Sequence, residues 1–284
     1  VALSLAVAVS LGAAEPGGPE PETVAFALIG DRELLLDLHH PGGADPAPLI
    51  VYVHGGAWRV GSRDQMPIGL LVKEGFAIAS VDYRLTPEAP FPANVHDIKA
   101  AIRFLRARAG QFRIDADRVA IIGSSAGGHL AALVGVTGGH PDLEGTVGEH
   151  LDQSSEVQAI VSYYGASNLT TILSQSTPHG LKVRVPALEL LFGGPISERE
   201  TLARLASPVF HVDRDDPSVL LIHGDQDPQM PINQSHELVG ACRKAGVRVQ
   251  FDVVHGGAHG GGDFYTGERM HAVAAFLREV LKPQ

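Results

Sequence analysis

A serine between two glycines, an aspartate and a histidine stand at the ends of three apolar runs, and together they have the types and order needed for acyl transfer. The serine is Ser125 in Gly123-Ser124-Ser125-Ala126-Gly127, which follows VAII at 119–122 and precedes the helix-like HLAALVGV. A G-x-S-x-G segment between a strand and a helix makes a sharp turn that presents its central serine in strained backbone, and side chains at 123 or 127 would collide with neighbouring chain. The same pattern also occurs as a plain turn in glycine-rich chains, so its partners decide. A serine hydroxyl is a weak nucleophile until a base takes its proton, and an acid must orient that base. Two later segments supply both: His223-Gly224-Asp225-Gln226-Asp227-Pro228 after the run 218–222, and His255-Gly256-Gly257-Ala258-His259-Gly260 after 248–254. Asp227 is favoured as the acid, with Asp225 as the alternative. His259 is favoured as the base, because His255 continues its strand whereas the glycines around 259 let an imidazole reach over a sheet. His223 and His255 read as structural histidines.

Attack on a carbonyl also creates an oxyanion, and each preorganised N–H donor facing it is worth about 3–4 kcal/mol in the transition state. His54-Gly55-Gly56-Ala57-Trp58, at the end of the run 49–53, offers such donors because absent side chains let the backbone approach. The N–H groups of Gly55, Gly56 and Ala126 are the expected set. His54 reads as a brace for this loop, and Trp58 reads equally as packing or as a wall of the acyl site. Tyr163, Leu169 and Leu191 are the other candidates to line that site.

These groups need a frame, and the hydrophobic pattern supplies one. Apolar runs at 24–29, 33–38, 49–53, 76–81, 119–122, 157–163, 218–222 and 248–254 read as strands, most of them apolar enough to be covered on both faces. The first two, joined by Gly30-Asp31-Arg32, form an expected hairpin at a sheet edge. Val95, Ile98, Ala101, Ile102 and Leu105 repeat at helical spacing within 93–109, as do Met270, Val273, Ala274, Leu277 and Val280 near the end. Strand–helix alternation predicts an α/β fold, a mostly parallel sheet with helices on both faces. Loops beyond the carboxyl ends of such strands carry function, which is where the serine, aspartate and histidine fall. Residues 165–207, with Pro178, Pro186 and Pro195 among polar turns, break the alternation and read as a small lid or insertion.

Composition narrows the partners. With 284 residues, 33 Gly, 19 Pro and 6% aromatics, the chain fits a turn-rich α/β protein and not a helical bundle. A net charge of −10 disfavours nucleic acid and anionic membranes. The lone Cys242 makes no intramolecular disulfide and no cysteine-built metal site. Asp213, Asp215 and Asp216 lack the glycine and terminal glutamate of an EF-hand, His39-His40 lack H-E-x-x-H spacing, and the glycines of 256–262 lack a phosphate-loop lysine. No metal or cofactor is therefore expected. Val1–Ala14 is an uncharged apolar run that reads as the core of a signal peptide without its Met and basic region, cleaved near Ala13 or Ala14. No cysteine follows it to carry a lipid anchor. Residues 15–22 read as a polar lead-in, and 23–284 as the catalytic domain of a secreted or periplasmic protein.

The combination of His54-Gly55-Gly56-Ala57-Trp58, Asp82-Tyr83-Arg84-Leu85-Thr86-Pro87-Glu88-Ala89-Pro90-Phe91-Pro92 and Gly123-Ser124-Ser125-Ala126-Gly127-Gly128-His129 resembles the α/β-hydrolase esterases related to hormone-sensitive lipase. It is most similar to their bacterial carbohydrate-esterase-like branch, with its feruloyl and acetyl-xylan esterases. The resemblance runs from about residue 24 to the C-terminus. It implies an eight-stranded hydrolase fold, a triad of Ser125, Asp227 and His259, and a small or polysaccharide-linked ester as substrate. Two departures stand out: Ala57 where a third glycine is common, and Asn168 where relatives often carry aspartate. Asp82, Arg84 and Glu88 read as one charge network supporting the oxyanion loop. Lipase-like esterases, arylformamidases and short-chain peptidases share such scaffolds, and a silent binding protein of this fold is the rival from another class.

Overall fold

Alternate side chains of the central strands leave the sheet on opposite faces, and here both faces are apolar. In β3 (Ala47–Val53), Leu49, Val51 and Val53 enter one core while Ile50 and Tyr52 enter the other; in β5 (Ile114–Ser124), Val119 and Ile121 part from Ala120 and Ile122 in the same way. Such strands must be covered on both sides. The helix Ala93–Ala107 covers one face with Val95, Ile98, Ala101, Ile102 and Leu105, and the helix Gly267–Val280 covers the other with Met270, Val273, Ala274 and Leu277. The computed structural model describes residues 20–282. The remaining strands are β1 (Glu22–Ile29), β2 (Arg32–His39), β4 (Ala77–Val81), β6 (Ala159–Tyr163), β7 (Ser218–Gly224) and β8 (Val249–Val254).

They form one eight-stranded sheet in the order β1-β2-β4-β3-β5-β6-β7-β8. β2 runs antiparallel to β1 and β4, and every pair from β4 to β8 is parallel. The carboxyl ends of β3, β5, β6, β7 and β8 therefore open on one edge of the sheet, and the loops after them meet there. This is the α/β-hydrolase fold. The expected edge hairpin is present, with Ile29 paired to Arg32 across a turn in which Gly30 takes φ 59°.

The structure departs from the sequence reading in several places. β1 begins at Glu22, inside the expected lead-in, because Glu22 pairs with Leu38 and the Thr23 hydroxyl donates to Asp37 at 2.7 Å. β5 starts at Ile114, five residues early, pairing with Ala47 before the register shifts between Pro48 and Leu49. Within 165–207 a helix spans Pro178–Phe192 and runs through Pro186. Proline breaks a helix by losing one N–H bond and crowding the preceding turn; Pro186 lies on the exposed side, where water replaces the lost donor, while Ala187, Leu188, Leu191 and Phe192 enter the core. The expected leader at 1–14 lies outside the described residues. Among those described, no helix is long and apolar enough to cross a membrane.

Candidate active site

β5 delivers Ser125 at a turn no ordinary residue adopts without cost. Ser125 has φ 55° and ψ −117°, and the helix Ala126–Gly135 starts immediately after it. Its N–H donates to the Tyr163 carbonyl at 2.9 Å, and its carbonyl accepts the His129 N–H at 3.0 Å. The two motif glycines allow this reversal: a Cβ on Gly123 would overlap the Gly127 carbonyl, and one on Gly127 would overlap the carbonyls of Val53 and His54. Gly127→Ala is accordingly expected to cost about 3 kcal/mol or more, as overpacking against unyielding backbone does. A urea midpoint equal to wild type would contradict this.

β7 and β8 bring up the other two groups. The Asp227 carboxylate is fully buried. Its Oδ1 accepts the N–H groups of Gln229 and Met230, both at 2.8 Å, and its Oδ2 accepts His259 Nδ1–H at 2.6 Å. His223 Nε2 lies 3.4 Å from the same Oδ2. Burial alone would raise the pKa of this carboxyl, but the hydrogen bonds from His223 and His259 hold it well below the usual carboxylate range. The imidazole then has its proton on Nδ1, and the lone pair of Nε2 faces Ser125 Oγ at 2.8 Å. Asp225 is engaged elsewhere, with His255 Nδ1 at 2.9 Å and the Gly256 N–H at 2.8 Å, and His255 is exposed. The geometry thus separates Asp227 and His259 from their sequence alternatives. His223 is structural as expected, bonded to Ser235 and Met230, but its contact with Asp227 was not legible in the sequence.

The loop after β3 supplies free donors. The N–H groups of Gly55, Gly56 and Ala126 find no acceptor among the described residues. A Cβ on Gly55 would stand 2.9 Å from the Ser124 carbonyl and 3.4 Å from Ser125 Cβ, so this backbone lies against the nucleophile turn. Ala57 and Trp58 take φ 53° and 61°, so Ala57 holds the left-handed turn that a third glycine would make at lower cost. The loop is braced from several sides. His54 stacks on Tyr83 with ring centroids 4.4 Å apart, and the Tyr83 hydroxyl donates to the His54 carbonyl at 3.0 Å. Trp58 Nε1–H donates to His129 Nδ1 at 3.1 Å, which leaves His129 Nε2–H to donate to the Ala206 carbonyl at 2.6 Å. Burial pushes the His129 pKa down to about 4, so it stays neutral in this relay.

Several expectations are corrected. Trp58, Tyr163 and Leu191 are fully buried in the core, which for Trp58 is the packing alternative, and Leu169, also buried, borders a cavity with Leu173, Ile196 and Ala203. Asp82, Arg84 and Glu88 do not form one network. Asp82 accepts the Arg63 N–H and guanidinium, Arg84 makes a bidentate pair with Asp97, and Glu88 pairs with Arg32. Only the first of these pairs ties down the chain leaving the oxyanion loop. Asn168 is a buried hub: its amide donates to Glu237, and its Oδ1 accepts the Thr170 hydroxyl at 2.6 Å. An aspartate there would set carboxylate against carboxylate. Asn168→Asp should therefore cost about 1–3 kcal/mol at neutral pH. The repulsion raises a folded-state carboxyl pKa, so the loss should shrink as pH falls through that raised value; urea melts across pH that show no loss would refute it.

Residues 36–241 match the BD-FAE family model. The chain belongs to the BD-FAE family. Among relatives, it is 34% identical over 243 residues to Esterase LipC of Mycobacterium tuberculosis, an alignment covering 83% of this chain and 59% of LipC. The chain thus spans less than two thirds of that relative. A truncated carbohydrate esterase from gut microbiota superposes with a TM-score of 0.83 at 30% identity, covering 93% of this chain and 98% of that one. The butyrate-bound esterase of the planctomycete Thermogutta terrifontis gives a TM-score of 0.77 at 26% identity, covering 94% and 97%. This BD-FAE member therefore shares its sheet and its loop-bearing edge with proteins named as esterases.

Proposed function

We propose that the chain is a serine carboxylic-ester hydrolase acting through an acyl-enzyme. The observation that carries this reading is the unbroken line from Asp227 through His259 to Ser125, with uncommitted N–H groups beside the serine. Ser125 Oγ attacks the ester carbonyl while His259 Nε2 accepts its proton. The oxyanion sits against the N–H groups of Gly55, Gly56 and Ala126. Collapse breaks the C–O bond, and the imidazolium returns the proton to the departing alkoxide. Water repeats the attack, and the acid leaves. Asp227 stays ionised and holds the imidazole in its working tautomer.

For substrate we favour short acyl groups, including acetyl or feruloyl groups on plant polysaccharide. The support is the likeness to a carbohydrate esterase and to an esterase binding butyrate. The apolar run Val1–Ala14 supports export, which fits a polysaccharide-linked ester outside the cytoplasm. A panel of p-nitrophenyl acetate, butyrate and decanoate with acetylated xylan and methyl ferulate tests this. The two short esters should be turned over at least about tenfold better in kcat/KM than decanoate, a difference of about 1.4 kcal/mol, and one of the plant-wall esters should be cleaved. Preference for decanoate would favour a lipase-like reading instead.

A further inference from the structure

The loop that carries His259 is rich in glycine. Glycines at 256, 257, 260, 261 and 262 surround it, and they restrain backbone least of all residues. The hydrogen bonds of Nδ1 to Asp227 and of Nε2 to Ser125 Oγ fix two ring atoms and leave rotation about the line joining them open. Something else must set the plane of the imidazole.

Tyr164 is placed to do so. The peptide joining Tyr163 to Tyr164 is held from both sides: its carbonyl accepts the Ser125 N–H, and its N–H donates to the Ile222 carbonyl of β7 at 2.7 Å. The chain then passes through Tyr164 at φ 39°, a left-handed conformation that costs a residue with a Cβ about 1–3 kcal/mol. The Tyr164 ring packs on the His259 imidazole with centroids 4.8 Å apart at 60°. Its far side is fixed as well, since Phe264 packs edge-on at 4.8 Å and the two hydroxyls of Tyr164 and Tyr265 bond at 2.7 Å. Gly260 lies so close that a Cβ on it would stand 3.2 Å from the Tyr164 hydroxyl. One residue thus joins the nucleophile turn, through its backbone, to the histidine loop, through its ring.

We propose that Tyr164 is a positioning residue that buttresses the His259 imidazole and so sets its alignment with Ser125 Oγ, an inference that rests on the hydrolase reading above. It acts through His259, whose ring it packs against. Its strained backbone is kept because any relaxed conformation would swing the ring off the imidazole.

The test is steady-state hydrolysis of p-nitrophenyl acetate by Tyr164→Leu and Tyr164→Phe, with turnover expressed per folded molecule from circular dichroism. Tyr164→Leu should lose about ten- to a hundredfold in kcat, the scale of a misaligned reacting group, with KM within about twofold. Tyr164→Phe keeps the ring but loses its tether to Tyr265, and its kcat should fall only about two- to fivefold below wild type. Unchanged kcat per folded molecule in Tyr164→Leu, or a change confined to KM, would overturn the proposal. Should the leucine variant not fold, Tyr164→Phe, Tyr265→Phe and their double variant carry the test. The two hydroxyls share one bond, so the double variant should be no slower than the worse single one; additive losses, or none, would overturn it. Ser125→Ala run beside these separates the two readings. Activity surviving in that variant would remove the hydrolase assignment itself, whereas a dead Ser125→Ala with an unaffected Tyr164→Leu would remove only the role of Tyr164.

Discussion

Ser125→Ala is expected to lower kcat for p-nitrophenyl acetate by about a millionfold while leaving the fold intact. The magnitude follows from the role: without Oγ there is no covalent intermediate, and His259 Nε2, 2.8 Å from that oxygen, has no nucleophile to deprotonate. In serine hydrolases that lack the nucleophile, a residual acceleration of about 10³–10⁴ over water comes from the oxyanion donors and binding alone. The free N–H groups of Gly55, Gly56 and Ala126 should supply it here. Stability should barely move, because alanine keeps the strained φ of 55° and the Ser125 N–H keeps its bond to Tyr163. A variant with wild-type turnover would show that the serine does not react.

Asp227→Asn is expected to cost about 10⁴-fold in kcat with KM little changed, because the amide forces the wrong tautomer. The hydrogen bonds decide which way that amide points. Gln229 and Met230 both present N–H donors to Oδ1, so the amide oxygen must take that side. The NH₂ is left facing His259 Nδ1 at the position where Oδ2 now accepts. Nδ1 must then accept, the ring proton moves to Nε2, and the base presents a donor to the serine when it needs a lone pair. Asp225→Asn is the control. Asp225 pairs with exposed His255, so its loss should change kcat by no more than about threefold, the size expected of a surface pair. The opposite ranking of the two variants would move the acid to Asp225.

What could be read from the sequence was whatever local pattern determines. The core strands were legible because both faces are apolar, and the meeting of Ser125, Asp227 and His259 because three loops end three parallel strands. The start of β5 was hidden by Asp115, Asp117 and Arg118, polar residues that sit at an irregular register against Pro48. The helix Pro178–Phe192 was hidden by Pro186, whose lost bond costs little on an exposed side. Tyr163, Leu169 and Leu191 were candidates for an acyl wall and Trp58 equally for packing; tertiary packing decides such positions, and it buries all four while setting Leu169 beside a cavity. Tyr164 was missed for the converse reason. Attention fell on Tyr163 beside it, and the left-handed turn that puts the Tyr164 ring on His259 leaves no mark in hydropathy. The departure at Asn168 makes sense only beside Glu237, far away in the chain.

The central claim is that Ser125 is a nucleophile activated by His259. It is tested most directly by treating the protein with diisopropyl fluorophosphate, which traps an activated serine without depending on a slow deacylation step, and by locating the added mass. The account predicts stoichiometric loss of esterase activity with the diisopropylphosphoryl group on the peptide containing Ser125, and no labelling of either Ser125→Ala or His259→Ala. A label on any other residue, or full esterase activity in a protein labelled at Ser125, would contradict it.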